Sequence, residues 1–152
     1  MVNALSAGLV NTAIPQLIQQ AKGGHALAQF QLGICYEEGN GVEKDKAEAV
    51  YWYQEAADKG CTDAQINLGV CLARGKGVEK NLARAFFCFK KAAQQGDANA
   101  QFILGYYLAN GLGVEKDDGK AVHWYQKAAD QGNRDARVNL VYYKVLKAIF
   151  PF

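Results

Sequence analysis

Four cysteines and two histidines are the most reactive side chains in this chain of 152 residues, and their spacing argues against most of the chemistry they could do. Cys35, Cys61, Cys71 and Cys88 form no CxxC pair, and His25 and His123 stand at no zinc-ligand spacing from them, so no metal site is expected. The thiols read instead as small buried side chains in a reducing compartment. Cys35 and Cys71 fall one repeat period apart; equivalent residues on neighbouring helices are expected to lie beyond the under-7 Å Cα separation that a disulfide needs. No HExxH, GxSxG, phosphate-binding loop or carboxylate pair occurs, and no nucleophile has a base nearby at motif spacing. Catalytic residues and a cofactor are therefore not expected, and the chain does not read as an enzyme. His123, beside Trp124, is expected to face solvent. The pairs Glu43-Lys44, Glu79-Lys80 and Glu115-Lys116 are expected to serve solubility and capping.

Recognition is the function class that remains. Half of the residues are apolar, which excludes a solvated coil. A net charge of +2 with both signs interspersed gives no reason to expect nucleic acid or an anionic lipid surface. No run approaches ~18 consecutive apolar residues, so no membrane span is expected. The stretch 1–14 has no positive residue, unlike a secretory leader, and the expected compartment is the cytoplasm.

The elements that would present a recognition surface follow from an internal repeat. Leu-Gly recurs at Leu32-Gly33, Leu68-Gly69 and Leu104-Gly105, and Gly-Val-Glu-Lys starts at Gly41, Gly77 and Gly113, each time 36 residues apart. Written as units 28–63, 64–99 and 100–135, the copies share 13 of 36 positions, too many for chance. A half-unit at 13–27 precedes them and a helix at 136–152 follows, all within one domain, 1–152. Each unit reads as two helices. The first carries Ala28, Leu32 and Tyr36 and their counterparts at helical spacing, and stops at Gly39, Gly75 or Gly111, where a left-handed cap suits glycine. The second starts at Asp45, Asn81 or Asp117, all good N-caps, with Glu48 completing a capping box in the first unit. The mid-helix glycines Gly33, Gly69 and Gly105 cost about 1 kcal/mol each against alanine. Close approach of a neighbouring helix, with large rings over small residues, is the expected compensation.

A 36-residue unit carrying Ala28, Leu32, Gly33, Tyr36, Gly39, Gly41, Val42, Asp45, Ala49, Trp52, Tyr53, Ala56, Ala57 and Gly60, with partners one and two periods on, resembles the Sel-one-like repeat, a relative of the tetratricopeptide repeat. The departures are Asn81 for Asp, Cys88 for Trp, and Lys144 at an apolar position. The resemblance implies an all-α fold: a right-handed α/α superhelix, or solenoid, of stacked antiparallel helix pairs, with about three full repeats and flanking half-repeats. It also implies a non-catalytic scaffold or adaptor that binds a protein or peptide on its concave face. A cysteine-rich subgroup linked to β-lactam binding carries a cysteine pair in every repeat. The matching positions here, Ala57 and Ala64, Ala93 and Ala100, Ala129 and Ala136, are all alanine, which disfavours that subgroup.

Residues that vary between units on the far side of the first helix from the Ala/Leu stripe are the candidate partner-binding positions. They are Gln31, Ile34 and Glu38, then Asn67, Val70 and Arg74, then Ile103, Tyr106 and Asn110, with Asn139 and Tyr142 extending the row. The asparagines offer both donor and acceptor to a peptide backbone, and the tyrosines and aliphatics offer apolar contact. Glu38 and Arg74 are candidates to pair with each other, a contact worth little at a surface. The last helix is apolar nearly all round, where a capping helix ought to have a polar outer face. Tyr143, Leu146, Ile149, Phe150 and Phe152 are therefore a candidate oligomer surface, and a self-assembling homodimer is the alternative to a foreign partner.

Overall fold

A computed structural model describes residues 4–150, with side chains from residue 13 onward, and every regular element among them is a helix. In chain order these are α1 (Ala4–Lys22), α2 (Ala26–Glu38), α3 (Lys46–Asp58), α4 (Thr62–Arg74), α5 (Leu82–Gln94), α6 (Ala98–Asn110), α7 (Asp118–Asp130) and α8 (Arg134–Ile149). The chain forms two compact units, α1–α4 and α5–α8, divided after Lys80. Within each unit every helix packs on the next one in sequence. The all-α class expected of the sequence is the one observed.

Local chemistry sets the helix limits. Asp45 accepts hydrogen bonds from the backbone N–H groups of Ala47 and Glu48, and Asn81 and Asp117 accept from Arg84 and Lys120, so all three cap the second helix of their repeat as expected. The reciprocal half of the capping box does not form. The Asp45 N–H donates instead to the Tyr36 carbonyl at 2.9 Å, which ties the start of α3 to α2 and leaves Glu48 exposed. The first helices end at Gly39, Gly75 and Gly111, with φ of 77°, 66° and 64°.

Packing explains two of the three mid-helix glycines, Gly33 and Gly105. In the first unit the ring of Tyr53 lies across the backbone of α2 at Gly33, where an added Cβ would sit 2.6 Å from it. In the second unit Tyr125 covers Gly105 in the same way, at 2.8 Å. Both rings are fully buried. The glycine forgoes helix propensity so that a large ring can reach the backbone and fill the interhelical space. Around these rings run the alanines: Ala49, Ala56 and Ala64 in the first unit, and Ala92, Ala100, Ala121, Ala128 and Ala136 in the second, none more than 1% exposed. At the near end of the first unit Trp52 packs on Ala21, Ala28 and Leu32. Its Nε1 has no hydrogen-bond partner among the described residues. The burial of the indole offsets that cost.

One polar position is part of the core. Gln29, Gln65 and Gln101 recur at the same place in each repeat, and each donates its amide to the carbonyl of the residue eight earlier: Ala21, Ala57 and Ala93. Those carbonyls belong to the last turn of the preceding helix, where intrahelical donors run out. Lys59 and Gln131 complete two of these amides by donating to the side-chain oxygens of Gln29 and Gln101.

Candidate functional site

The second helix of each repeat supplies the rings, and in the first unit one ring also reaches the candidate binding side chains. Tyr53, from α3, ends between α2 and α4. Its hydroxyl donates to Glu37 Oε2 at 2.5 Å, and the Asn67 amide donates to the Tyr53 hydroxyl oxygen. Beside this cluster, a cleft of about 570 Å³ opens among α2, α3, α4 and the turn after α4. Glu37 and Glu38 line one wall, Lys44, Lys46 and Lys76 reach in from the two turns, and Cys71 lines it as well, almost fully buried.

The candidate partner-binding residues distribute as follows. In the first unit Gln31, Glu38 and Arg74 are exposed, and Ile34, Asn67 and Val70 are half-buried. In the second unit Tyr106, Asn110 and Tyr142 are exposed, and Ile103 and Asn139 are half-buried. Several polar members already have partners. Besides Asn67, Asn110 donates to the Tyr106 carbonyl and Asn139 to the Asp135 carbonyl, one helical turn back in each case. Asn110 and Asn139 each retain the carbonyl oxygen and one amide N–H, so they still offer an acceptor and a donor with one donor already spent. Glu38 accepts from Asn40 at 2.6 Å, and its pairing with Arg74 is not among the ion pairs of the described residues.

On the last helix Ile149 and Phe150 are exposed, together with Val138, Val141, Tyr142 and Val145. Tyr143 and Leu146 differ from the other candidate oligomer residues. Both are half-buried in a groove of about 440 Å³ against α7, lined also by Val122 and Leu140, and the Tyr143 hydroxyl donates to Asp118 at 3.0 Å. Phe152 lies outside the described residues. His123 is exposed, with its ring edge-on to Trp124, which Lys127 covers from 5.0 Å.

Sequence reasoning missed Glu37 and the three cleft lysines. Glu37 was findable: the other units carry Ala73 and Ala109 at its position, so it varies between repeats in the same way as the positions that were singled out. Lys44 and Lys76 sit in turns and Lys46 is the first residue of α3, where period-3.6 reasoning about helix faces has no purchase.

All four cysteines are free. Burial and then the Glu38 charge push the Cys35 thiol above its ordinary value; burial and then Glu37 do the same for Cys71. Neither thiol is activated for nucleophilic work. No group of three His, Cys, Asp or Glu side chains that could hold a metal occurs among the described residues. No helix among them is long and apolar enough to cross a membrane.

The buried phenols give the molecule an alkaline limit. Burial, reinforced by the bond to Glu37, holds Tyr53 well above the usual phenol range, and burial followed by the bond to Asp118 does the same for Tyr143. Tyr125 is pushed up to about 12, by burial first and then by the neighbouring Tyr106. The unfolded chain releases these protons near pH ~10 while the folded chain keeps them. Their contribution to stability is therefore complete below pH ~10 and is lost as pH climbs through the folded values. Urea midpoints measured from neutral pH upward should stay level to about pH 10 and then fall steeply, with phenolate absorbance rising as the chain unfolds. A level midpoint up to pH ~12 would contradict this.

Helix pairs that recur with glycine turns, and rings laid over mid-helix glycines, define a helical repeat protein. The Sel1 repeat pattern matches residues 26–61, 62–97 and 98–133, and the chain belongs to the Sel1 repeat family. Among solved structures it is similar to a Sel1 repeat protein from Oxalobacter formigenes, with a TM-score of 0.78 and 40% identity, covering 84% of this chain and 96% of that one. Among curated proteins it is 44% identical over 48 residues to DAP3-binding cell death enhancer 1 of Mus musculus, a match covering 32% of this chain and 9% of that protein. It is 42% identical over 48 residues to the secretory immunoglobulin A-binding protein EsiB of Escherichia coli O6:H1, covering 32% of this chain and 10% of that protein. The matched part of the chain spans about a tenth of the length of these curated relatives. Proteins of the family generally serve as protein–protein interaction scaffolds without catalysis of their own.

Proposed function

We propose that this chain is a non-catalytic scaffold that holds a protein or peptide segment on the exposed faces of its first helices. In the first unit the face comprises Gln31, Ile34, Glu38, Asn67, Val70 and Arg74; in the second it comprises Ile103, Tyr106, Asn110, Asn139 and Tyr142. The observation that carries the proposal is the exposure of two tyrosines at matching repeat positions: Tyr106 is 47% and Tyr142 59% exposed. Tyrosine is enriched among the few residues that dominate binding energy, and the two rings offer matching apolar contact on the first-helix face. Both curated relatives carry names as binders of other proteins, which supports the same reading.

The test is capture of partners from a lysate by the immobilised chain, compared with a Tyr106→Ala/Tyr142→Ala variant. Each hot-spot tyrosine is worth on the order of 2 kcal/mol, so the double variant should retain well under a tenth of the captured protein with unchanged thermal stability. Equal capture by both would remove the proposal.

A second reading, self-association through α8, is favoured by the contiguous exposure of Val138, Val141, Val145, Ile149 and Phe150. Sedimentation separates the two: a concentration-dependent dimer that Val145→Ser and Ile149→Ser abolish supports self-assembly. A monomer at every concentration refutes it.

A further inference from the structure

The cleft of the first unit contains five charged side chains, and only its acidic ones are occupied. The hydroxyl of Tyr53 donates to Glu37, and Asn40 donates to Glu38. Lys44, Lys46 and Lys76 appear in none of the ion pairs of the described residues, which join Lys59 to Glu55, Lys116 to Asp118 and Lys120 to Asp117. The backbone brings the three together. The turn after α2 delivers Lys44, the start of α3 delivers Lys46, and the turn after α4 delivers Lys76. These two turns meet because Gly77, with φ +70°, has no Cβ and rests directly on the Lys46 carbonyl. Three ammonium groups without carboxylate partners thus line a concave space of about 570 Å³ beside Asn67, part of the candidate partner face.

We infer that this cleft takes the acidic side chains of the partner segment: a peptide bearing consecutive Asp or Glu residues is held here by Lys44, Lys46 and Lys76. The inference rests on the scaffold reading above and names the chemistry of the partner at that face. The glutamates do not cancel the lysines. Both keep their charge, so three lysines against two glutamates leave the cleft a net excess of one positive charge, and the carboxylates are engaged by Tyr53 and Asn40 rather than by the lysines. They do impose selectivity, because an anion placed against Glu37 instead of the lysines would meet a like charge. All three lysines are exposed, so what the cleft adds is their convergence on one concave space rather than desolvation of any one of them.

The experiment measures fluorescence anisotropy of a labelled peptide of alternating Asp and Glu with the full chain at low salt. The comparison peptide carries Asn and Gln at the same positions. The acidic peptide should bind, the amide peptide should not, and affinity should fall as salt is raised. Lys44→Gln/Lys46→Gln/Lys76→Gln should weaken the acidic peptide by about tenfold or more, while Lys22→Gln, at the end of α1, should leave it unchanged. Helical circular dichroism and the urea midpoint check that the triple variant is folded. An acidic peptide that binds wild type and triple variant alike, or neither, overturns the inference. So does inorganic phosphate that competes at the peptide's own concentration, which would mark a site for any small anion. Failure of the scaffold reading shows differently: Tyr106→Ala/Tyr142→Ala then leaves lysate capture intact, whatever the lysines do.

Discussion

Gly77→Ala is expected to lower the stability of the chain by roughly 3 kcal/mol or more, one of the two largest effects predicted here for a single substitution. Two independent costs add at this position. The backbone sits at φ +70°, where a residue with a Cβ costs about 1–2 kcal/mol. The new methyl group would also fall well inside van der Waals contact of the Lys46 carbonyl carbon and oxygen. Those atoms are backbone at the first residue of α3, so relief requires moving a helix start, not turning a side chain. Gly60→Ala separates the two costs. Gly60 has φ +87° but nothing within 4 Å of an added Cβ, so it should show the conformational cost alone, about 1 kcal/mol. Urea midpoints of the two variants should differ accordingly. Equal losses would mean that the close turn-to-turn approach at Gly77 is not a real constraint. The same substitution should open the lysine cleft, because the turn that carries Lys76 is held in place by this contact.

The sequence made most of the fold legible because its strongest signals are local. Capping side chains at Asp45, Asn81 and Asp117 and left-handed glycines at Gly39, Gly75 and Gly111 each act within a few residues, and all do in the structure what their chemistry demands. Two features were not legible for the opposite reason. The glutamine shared by all repeats looks like a surface residue by type; only the packing of one helix end against the next shows that it adds a second donor to a helix-end carbonyl that already accepts a backbone N–H. Glu48 looks like a capping partner, yet the Tyr36 carbonyl outcompetes it for the Asp45 N–H, a contact that depends on the path of the whole turn. The site was legible only in part. Helical periodicity found the exposed tyrosines, but it could not see that Asn67 is turned toward Tyr53, nor that lysines from two separate turns converge.

Tyr53→Ala is the second large effect, with an expected loss of about 3–5 kcal/mol. The ring is fully buried and lies flush on the Gly33 backbone, with the Phe30 ring 6.0 Å away, so its removal leaves a cavity against a helix surface that has no side chain to collapse into it. Tyr53→Phe isolates the hydroxyl. It gives up the bonds to Glu37 and Asn67, but Glu37 is only half-buried and water can replace the lost donor, so the expected cost is about 1 kcal/mol. The pairing of ring and glycine can be tested directly. Gly33→Ala alone should be strongly destabilising, since the added methyl meets the ring at 2.6 Å. In a Tyr53→Leu background that methyl has room, so Gly33→Ala should cost far less and even recover its helix-propensity gain of up to about 1 kcal/mol. A double-mutant cycle over these two positions should therefore give a coupling at the upper end of the ~0.5–3 kcal/mol seen for residues in contact. Additive effects would mean that the glycine is there for some reason other than the ring.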